Sequence, residues 1–274
     1  MLPTFASAKR SGRSLKSIVR VLEEYAHPKY AGSWDNVGLL IEPTEAKTVK
    51  HILLTNDLTE EVMQEALKLK TDMIISYHPP IFKALKSICT NNWKERIVAR
   101  CLENRIALYS PHTALDAIEG GVNDWLASAL DIADSTPVQP TFGPSIGPGR
   151  LCDLKSKINL QDAVQRVKKH CELHNVLVAF PSDSNGEIRT VAVCAGSGAS
   201  ILAGTKADLY LTGEMSHHEV LDAIHQGSHV ILTNHSNSER GYLRDVYAAK
   251  IREALDDDVE VVFSKNDDDP LVTM

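Results

Sequence analysis

Long apolar runs are missing from this chain of 274 residues. None approaches the roughly 18 residues needed to cross a bilayer, so no membrane partner is expected. Met1 to Leu22 has no continuous apolar core, so no secretory leader is expected. Cysteine is scarce: five residues (Cys89, Cys101, Cys152, Cys171, Cys194), odd in number, widely spaced, with no Cys-x-x-Cys. That pattern excludes a disulfide framework and implies reduced, mostly buried thiols. The expected compartment is therefore the cytoplasm, with the mitochondrion and nucleus as alternatives. A surplus of positive charge is missing too, since 29 Lys and Arg face 36 Asp and Glu for a net charge of −7. A general nucleic-acid binder would show a basic face, so no direct nucleic-acid partner is expected. Acids are absent from the first 22 residues, which hold Lys9, Arg10, Arg13, Lys16 and Arg20. That composition resembles a mitochondrial transit peptide, and equally a basic tail leading into a helix.

Apolar residues are plentiful at 43%, enough for a packed core. They form short runs of strand length, and one pattern occurs twice. Arg105-Ile-Ala-Leu-Tyr-Ser-Pro-His112-Thr-Ala-Leu-Asp116 and Ser228-His-Val-Ile-Leu-Thr-Asn-His235-Ser-Asn-Ser-Glu239 each read as an apolar run, turn residues, His and then a carboxylate. The offset is constant, because 235 − 112 and 239 − 116 both give 123. Upstream, the stretch ending at His78-Pro79-Pro80 matches the stretch ending at Glu214. Matching segments in order suggest duplicated lobes, although buried parallel strands also look alike for simple reasons of composition. The expected fold is α/β, with two similar lobes. His and carboxylate just past a strand sit at its carboxyl end, where open α/β sheets bind ligands. They are also the ligand chemistry of zinc, manganese or iron. His78, Asp116, His235 and Glu239 are the residues whose convergence would make an open site for one or two divalent ions.

Along the chain, residues 1–13 read as a disordered tail. Leu15, Ile18, Val19, Leu22 and Tyr25 have helical spacing after Ser14 as N-cap, and Thr59 caps a second amphipathic helix. Pro137 to Gly149 holds four prolines and three glycines and reads as a linker. It divides a first lobe (14–130) from a second (151–274), with 131–150 between them. Gly196 and Gly198 follow a predicted strand, where backbone N–H groups can hold an anion or simply make a tight turn. Tyr77, beside His78, is a weaker catalytic candidate. His170 and His174 read as an exposed helix face, Arg240–Leu255 as one long helix, and Asp267–Asp269 as a solvated acidic run.

Five motifs in order resemble the NIF-3-like family, the NGG-interacting-factor proteins. They are Ser33-Trp-Asp-Asn-Val-Gly-Leu-Leu40, Ser76-Tyr-His-Pro-Pro-Ile-Phe82, Ser110-Pro-His-Thr-Ala-Leu-Asp116, Leu211-Thr-Gly-Glu214 and Asn234-His-Ser-Asn-Ser-Glu239-Arg. The resemblance runs from about residue 14 to 270 and is to the eukaryotic branch. It implies two similar lobes with a dinuclear metal site between them, and a toroidal homohexamer. By motif it makes His78, Asp116, His235 and Glu239 metal ligands, and His112 a neighbouring histidine that supports the site or transfers a proton. Bacterial members usually have His-His where this chain has Tyr77-His78, which implies that one metal is weaker or absent. The activity implied is that of a metal-dependent hydrolase of a small nucleotide or phosphorylated substrate; some members are labelled GTP cyclohydrolase I type 2. The alternative is a non-enzymatic co-regulator of transcription that works through protein partners.

Overall fold

The computed structural model describes residues 10–183 and 185–272. The chain divides into two units. Among the described residues, the first comprises 10–25, 36–111 and 246–267, and the second 26–35, 112–183, 185–245 and 268–272. This division differs from the expected lobes. The boundary falls between Pro111 and His112, and the C-terminal segment returns to the first unit.

In the first unit, β1 (Arg13–Ser14) leads into α1 (Leu15–Tyr25). Then come β2 (Gly38–Ile41), β3 (Thr48–Val49), β4 (His51–Thr55), α2 (Glu60–Lys68), β5 (Met73–Ser76), α3 (Trp93–Glu103) and β6 (Ala107–Ser110). The second unit holds α4 (His112–Ala117), α5 (Val122–Ala127), β7 (Ile132–Thr136), β8 (Arg150–Asn159), α6 (Leu160–His170) and β9 (Leu177–Ala179). It continues with β10 (Glu187–Cys194), α7 (Ala199–Leu202), β11 (Leu209–Thr212), α8 (His217–His225) and β12 (His229–Leu232). The last elements, α9 (Ala248–Ala254) and β13 (Glu260–Phe263), belong to the first unit.

The first unit's sheet has the order β13-β4-β5-β6-β2, with only β2 antiparallel to its neighbour. Every residue of β5 and β6 is buried. Strands covered on both faces read as unbroken apolar runs, which is why Met73–Ser76 and Ala107–Ser110 carry no alternation. Leu53, Ile74 and Leu108 pack under Val62, Met63 and Ala66 of α2 and Ile97, Val98 and Cys101 of α3. The second unit's sheet has the order β7-β8-β10-β11-β12-β9, with β10, β11 and β12 parallel. Its core joins Ala192, Tyr210 and Val230 to Leu202 and Ala223.

Several local expectations hold. The Ser14 hydroxyl accepts from the Ser17 N–H at 3.2 Å, and Thr59 accepts from Val62 N–H at 3.3 Å. Four of the five thiols are buried or half-buried, and all five are free. Burial pushes the Cys101 and Cys171 thiols up to about 12 and Cys152 to about 11, so none of these three is a thiolate near neutral pH.

Other expectations are corrected. Residues 1–9 of the expected tail lie outside the described residues, but 10–13 are ordered. Arg10 pairs with Glu260 at 3.0 Å and Arg13 with Asp256 and Asp258. The Pro/Gly stretch is not a linker between units; it connects antiparallel β7 and β8 within the second. The helix expected over Arg240–Leu255 forms without interruption, but its Tyr242–Tyr247 portion is π-helical, leading directly into α9. His170 is half-buried, its ring 4.5 Å from that of Trp125. Asp267 is 6% exposed and accepts from the Asn56 N–H, so burial of a backbone donor explains an acid that composition assigned to solvent.

Arg150 organises the β7–β8 connection. Its side chain is 2% exposed. Nε donates to Asp124 at 2.8 Å, Nη1 to Gly147 O and Gly149 O at 2.7 Å each, and Nη2 to Ile118 O at 2.6 Å and Ala117 O at 3.3 Å. All five guanidinium donors are thus used. Replacing Arg150 by Met is expected to cost about 3–5 kcal/mol, because a buried ion pair with Asp124 is broken and four carbonyls each lose one donor. Lys cannot reproduce the fork, so Arg150→Lys should recover little of the lost melting temperature in thermal denaturation followed by circular dichroism.

Candidate metal and proton-transfer site

Short parallel strands deliver the candidate residues by ending. In the first unit, β4 and β5 run side by side, and Asp57 and His78 lie just past their carboxyl ends. His78 Nδ1 is 2.9 Å from Asp57 Oδ1. The turn is held by His78 N–H donating to Asn56 O at 3.0 Å and Ser76 Oγ donating to His78 O at 2.7 Å. Pro79 and Pro80 follow, both buried; two prolines prevent continuation of strand or helix. Tyr77 is fully buried, and its carbonyl accepts from Ser110 Oγ at 2.7 Å.

In the second unit, Gly196, Glu214 and His235 follow the carboxyl ends of β10, β11 and β12. His235 Nδ1 is 2.8 Å from Glu214 Oε1, and its Nε2 is 3.5 Å from Glu239 Oε1. Glu239 is nearly buried, at 3% side-chain exposure. A cradle of backbone lies beneath this pair. A Cβ on Gly196 would meet Glu239 Oε1 at 2.6 Å and His235 Nε2 at 3.1 Å, and Gly196 has φ +64°. Asp116 and His112 do not follow a strand as extended chain. They sit on the short helix α4. The Asp116 carbonyl accepts from Asn123 Nδ2 at 2.9 Å, and Asn123 Oδ1 accepts from the Ala195 N–H at 2.8 Å, tying α4 to the loop after β10. Burial raises the Cys194 thiol, and the nearby Asp116 and Glu239 carboxylates raise it further. Asp116, His235 and Glu239 are all carried by the second unit and His78 by the first; among the described residues, the side chains near enough to share an ion include His235 and Glu239 but not Asp116.

His112 has the same kind of anchor as His78 and His235. Its Nδ1 is 2.7 Å from Asp35 Oδ1. A carboxylate only accepts, so each of the three rings must donate from Nδ1. In the neutral ring Nε2 then carries the lone pair. That arrangement orients and strengthens an imidazole as a metal ligand or base. Asp35, Asp57 and Glu214 received no site role from sequence. Two of them, Asp35 and Glu214, lie within recognised motifs, but nothing in linear spacing links them to a histidine 77 or 21 positions away.

The glycine loop does not present an anion cradle. Gly196 N–H donates to Ser238 Oγ at 2.7 Å and Gly198 N–H to Thr212 Oγ1 at 3.2 Å. The helix that follows, α7, is only four residues long, too short for a strong N-terminal dipole. The role of Gly196 is to let the chain pass under His235 and Glu239. A separate open cleft of about 630 Å³ lies at the other ends of β10, β11 and β12, lined by Glu187, Asp208, His225 and His229 among others. Asp208 there accepts from the Arg189 and Thr190 N–H groups at 2.8 Å each, which is a fold-stabilising use.

Imidazole nitrogen and carboxylate oxygen suit zinc, manganese or iron. His235 and Glu239 belong to a His/Glu group of side chains able to hold a metal ion, and the Gly196 cradle leaves room on their side. The residues present fit such an ion.

These features define a two-unit α/β protein with histidine–carboxylate chemistry at its strand ends. The chain belongs to the Duf34/NIF3 (NGG1p interacting factor 3) family, whose model matches residues 13–270. It is 49% identical to NIF3-like protein 1 of Drosophila melanogaster over 267 residues, covering 96% of this chain and 90% of that protein. It is 37% identical to the human NIF3-like protein 1, covering 97% and 94% respectively. It is 40% identical to NGG1-interacting factor 3 of Saccharomyces cerevisiae, covering 94% and 96%. The fold is similar to that of a Bacillus cereus protein related to NIF3, with TM-score 0.85 at 22% identity, covering 95% of this chain and 99% of that one. No helix among the described residues is long and apolar enough to cross a membrane.

Gly196→Ala tests the cradle. Left-handed backbone disfavours Ala by roughly 1–2 kcal/mol, and the new methyl group would displace Glu239 and His235. The variant is expected to fold with a lowered melting temperature and to bind zinc at least about tenfold more weakly, as measured by competition with a chelating dye.

Proposed function

We propose that this protein is a divalent-metal-dependent hydrolase of small substrates, of the nucleotide or phosphorylated class. The observation that carries the reading is the Nδ1–carboxylate anchoring of His78 and His235, which sets Nε2 of each ring as the donor atom. The ligands are taken as His78 in the first unit and Asp116, His235 and Glu239 in the second, for one or two ions of zinc, manganese or iron. The two units are read as copies of one ancestral lobe. In each, three parallel strands in chain order are flanked by an antiparallel strand that precedes them in sequence, β2 in one and β9 in the other. A bound ion would supply Lewis acidity and an acidified water. Asp57 and Glu214 hold the imidazoles in one tautomer, Glu239 supplies a nearly buried negative charge, and His112 is the candidate proton-transfer group. A homo-oligomer, hexameric by family resemblance, belongs to the same reading.

A second reading has its own support. The yeast relative is named for interacting with NGG1, and a chain of net charge −7 would take a transcriptional role through protein partners rather than nucleic acid. Under it, any metal is structural.

Metal analysis separates the two. Purified protein reconstituted with zinc, manganese or iron is expected to hold one to two ions per chain by mass spectrometry. His235→Ala should lose them while remaining folded, and Asp57→Ala should weaken binding about 10–100-fold. Hydrolysis of phosphate esters or nucleotides should vanish in Glu239→Gln with light-scattering mass unchanged. A metal-free reconstituted wild type would sink the hydrolase reading.

A further inference from the structure

Asp35 is placed more tightly than a surface-loop acid needs to be. Its side chain has 0% exposure. Oδ1 faces His112 Nδ1 at 2.7 Å, and Oδ2 accepts from Thr113 N–H at 3.2 Å and from Thr113 Oγ1 at 2.5 Å. The Thr113 hydroxyl in turn accepts from the Gly32 N–H at 3.0 Å. A chain of donors therefore runs from the 32–35 loop into the first turn of α4 and ends on one carboxylate. His112 itself has φ +31°, a backbone region that L-residues avoid. Such strain persists only where surrounding contacts enforce it, and the Asp35 bonds to His112 and Thr113 do so. Trp34 stands beside the ring. Its centroid is 6.2 Å from that of His112 at an interplanar angle of 80°, it is 64% exposed, and a Cβ on Gly32 would meet the indole at 2.8 Å. One side of the indole is thus backed by the chain, leaving an open apolar wall next to an oriented imidazole.

We propose that Asp35 and His112 form a proton-transfer pair distinct from the metal ligands, with Asp35 as the positioning residue and Trp34 as the wall against which substrate lies. The proton-transfer role rests on the hydrolase reading above. In the step assigned to it, His112 Nε2 takes the proton of the attacking water as the new oxygen bond forms. It returns that proton to the leaving atom as the old bond breaks, so the net change is addition of water. Asp35 stays ionised throughout and keeps the Nδ1 proton in place.

The geometry dictates what an amide would do at position 35. Thr113 N–H can only donate, so the amide oxygen of Asp35→Asn must take the Oδ2 position and its NH2 must face His112 Nδ1. The ring is then forced to carry its proton on Nε2, the tautomer that cannot act as a base; the same substitution in the serine-protease triad has that effect.

The test is nitrogen-15 NMR of histidine-labelled full-length protein at alkaline pH, with His112 assigned by its loss in His112→Gln. In wild type, Nδ1 should be of the protonated type and Nε2 of the lone-pair type; in Asp35→Asn the two should exchange. A wild-type ring protonated on Nε2, or an unchanged tautomer in Asp35→Asn, overturns the proposal. The wild-type spectrum alone decides the first point, whether or not the variant folds. Spectra with and without zinc should show the same His112 tautomer, and Asp35→Asn should keep the wild-type metal content. Zinc ligation of His112 Nε2, or metal loss in Asp35→Asn, would make the pair part of the metal centre and overturn the proposal. None of these readouts requires turnover, so failure of the hydrolase reading is recognised separately. With any substrate hydrolysed by wild type, Asp35→Asn should lower kcat by about 10²–10⁴-fold at unchanged KM.

Discussion

The arrangement depends on one kind of contact, a carboxylate accepting from the Nδ1 of an imidazole. It occurs at His78 with Asp57, at His112 with Asp35 and at His235 with Glu214. The consequence is chemical as well as structural. A neutral imidazole has one donor and one acceptor nitrogen, and its hydrogen bond decides which is which. With Nδ1 committed as donor, each ring presents a basic Nε2 in a fixed direction. Polar side chains at strand ends would otherwise sample several rotamers and both tautomers.

The fold makes that contact possible by placing adjacent strand ends side by side. β4 and β5 bring Asp57 to His78, and β11 and β12 bring Glu214 to His235, through the same parallel pairing that fixes their registers. Two constraints hold the second unit's loops in place around these ends. Buried Arg150 collects Asp124 and four carbonyls, and Gly196 lets the backbone approach His235 and Glu239 more closely than any side chain would allow. The hydroxyls of Ser238 and Thr212 hold the neighbouring N–H groups, which is why a glycine-rich loop here is scaffold rather than anion receptor.

Much of this was legible in the chain. The buried parallel strands, the caps at Ser14 and Thr59, the reduced thiols, the α/β class and the family all followed from apolar runs and local motifs. Those signals are short-range: a strand's burial and a helix cap are written in a handful of consecutive residues. The pairing of Asp35 with His112 was not legible, because it joins positions 77 apart through a loop with no periodicity. Nor was the return of Glu260–Phe263 to the first unit's sheet beside β4, since an apolar strand carries no mark of its partner. Composition misled at Pro137–Gly149, where proline and glycine serve a hairpin connection, and at Asp267, where a backbone donor draws an acid inside.

The sequence by itself therefore determined which chemistry is available, namely histidine and carboxylate just past buried strands, because residue type and local spacing set ligand chemistry and secondary structure. Tertiary structure alone decided which nitrogen each histidine offers and which acid stands behind it. That choice is made by hydrogen bonds only a few ångströms long between segments far apart in the chain, and such contacts exist only after the sheets have formed.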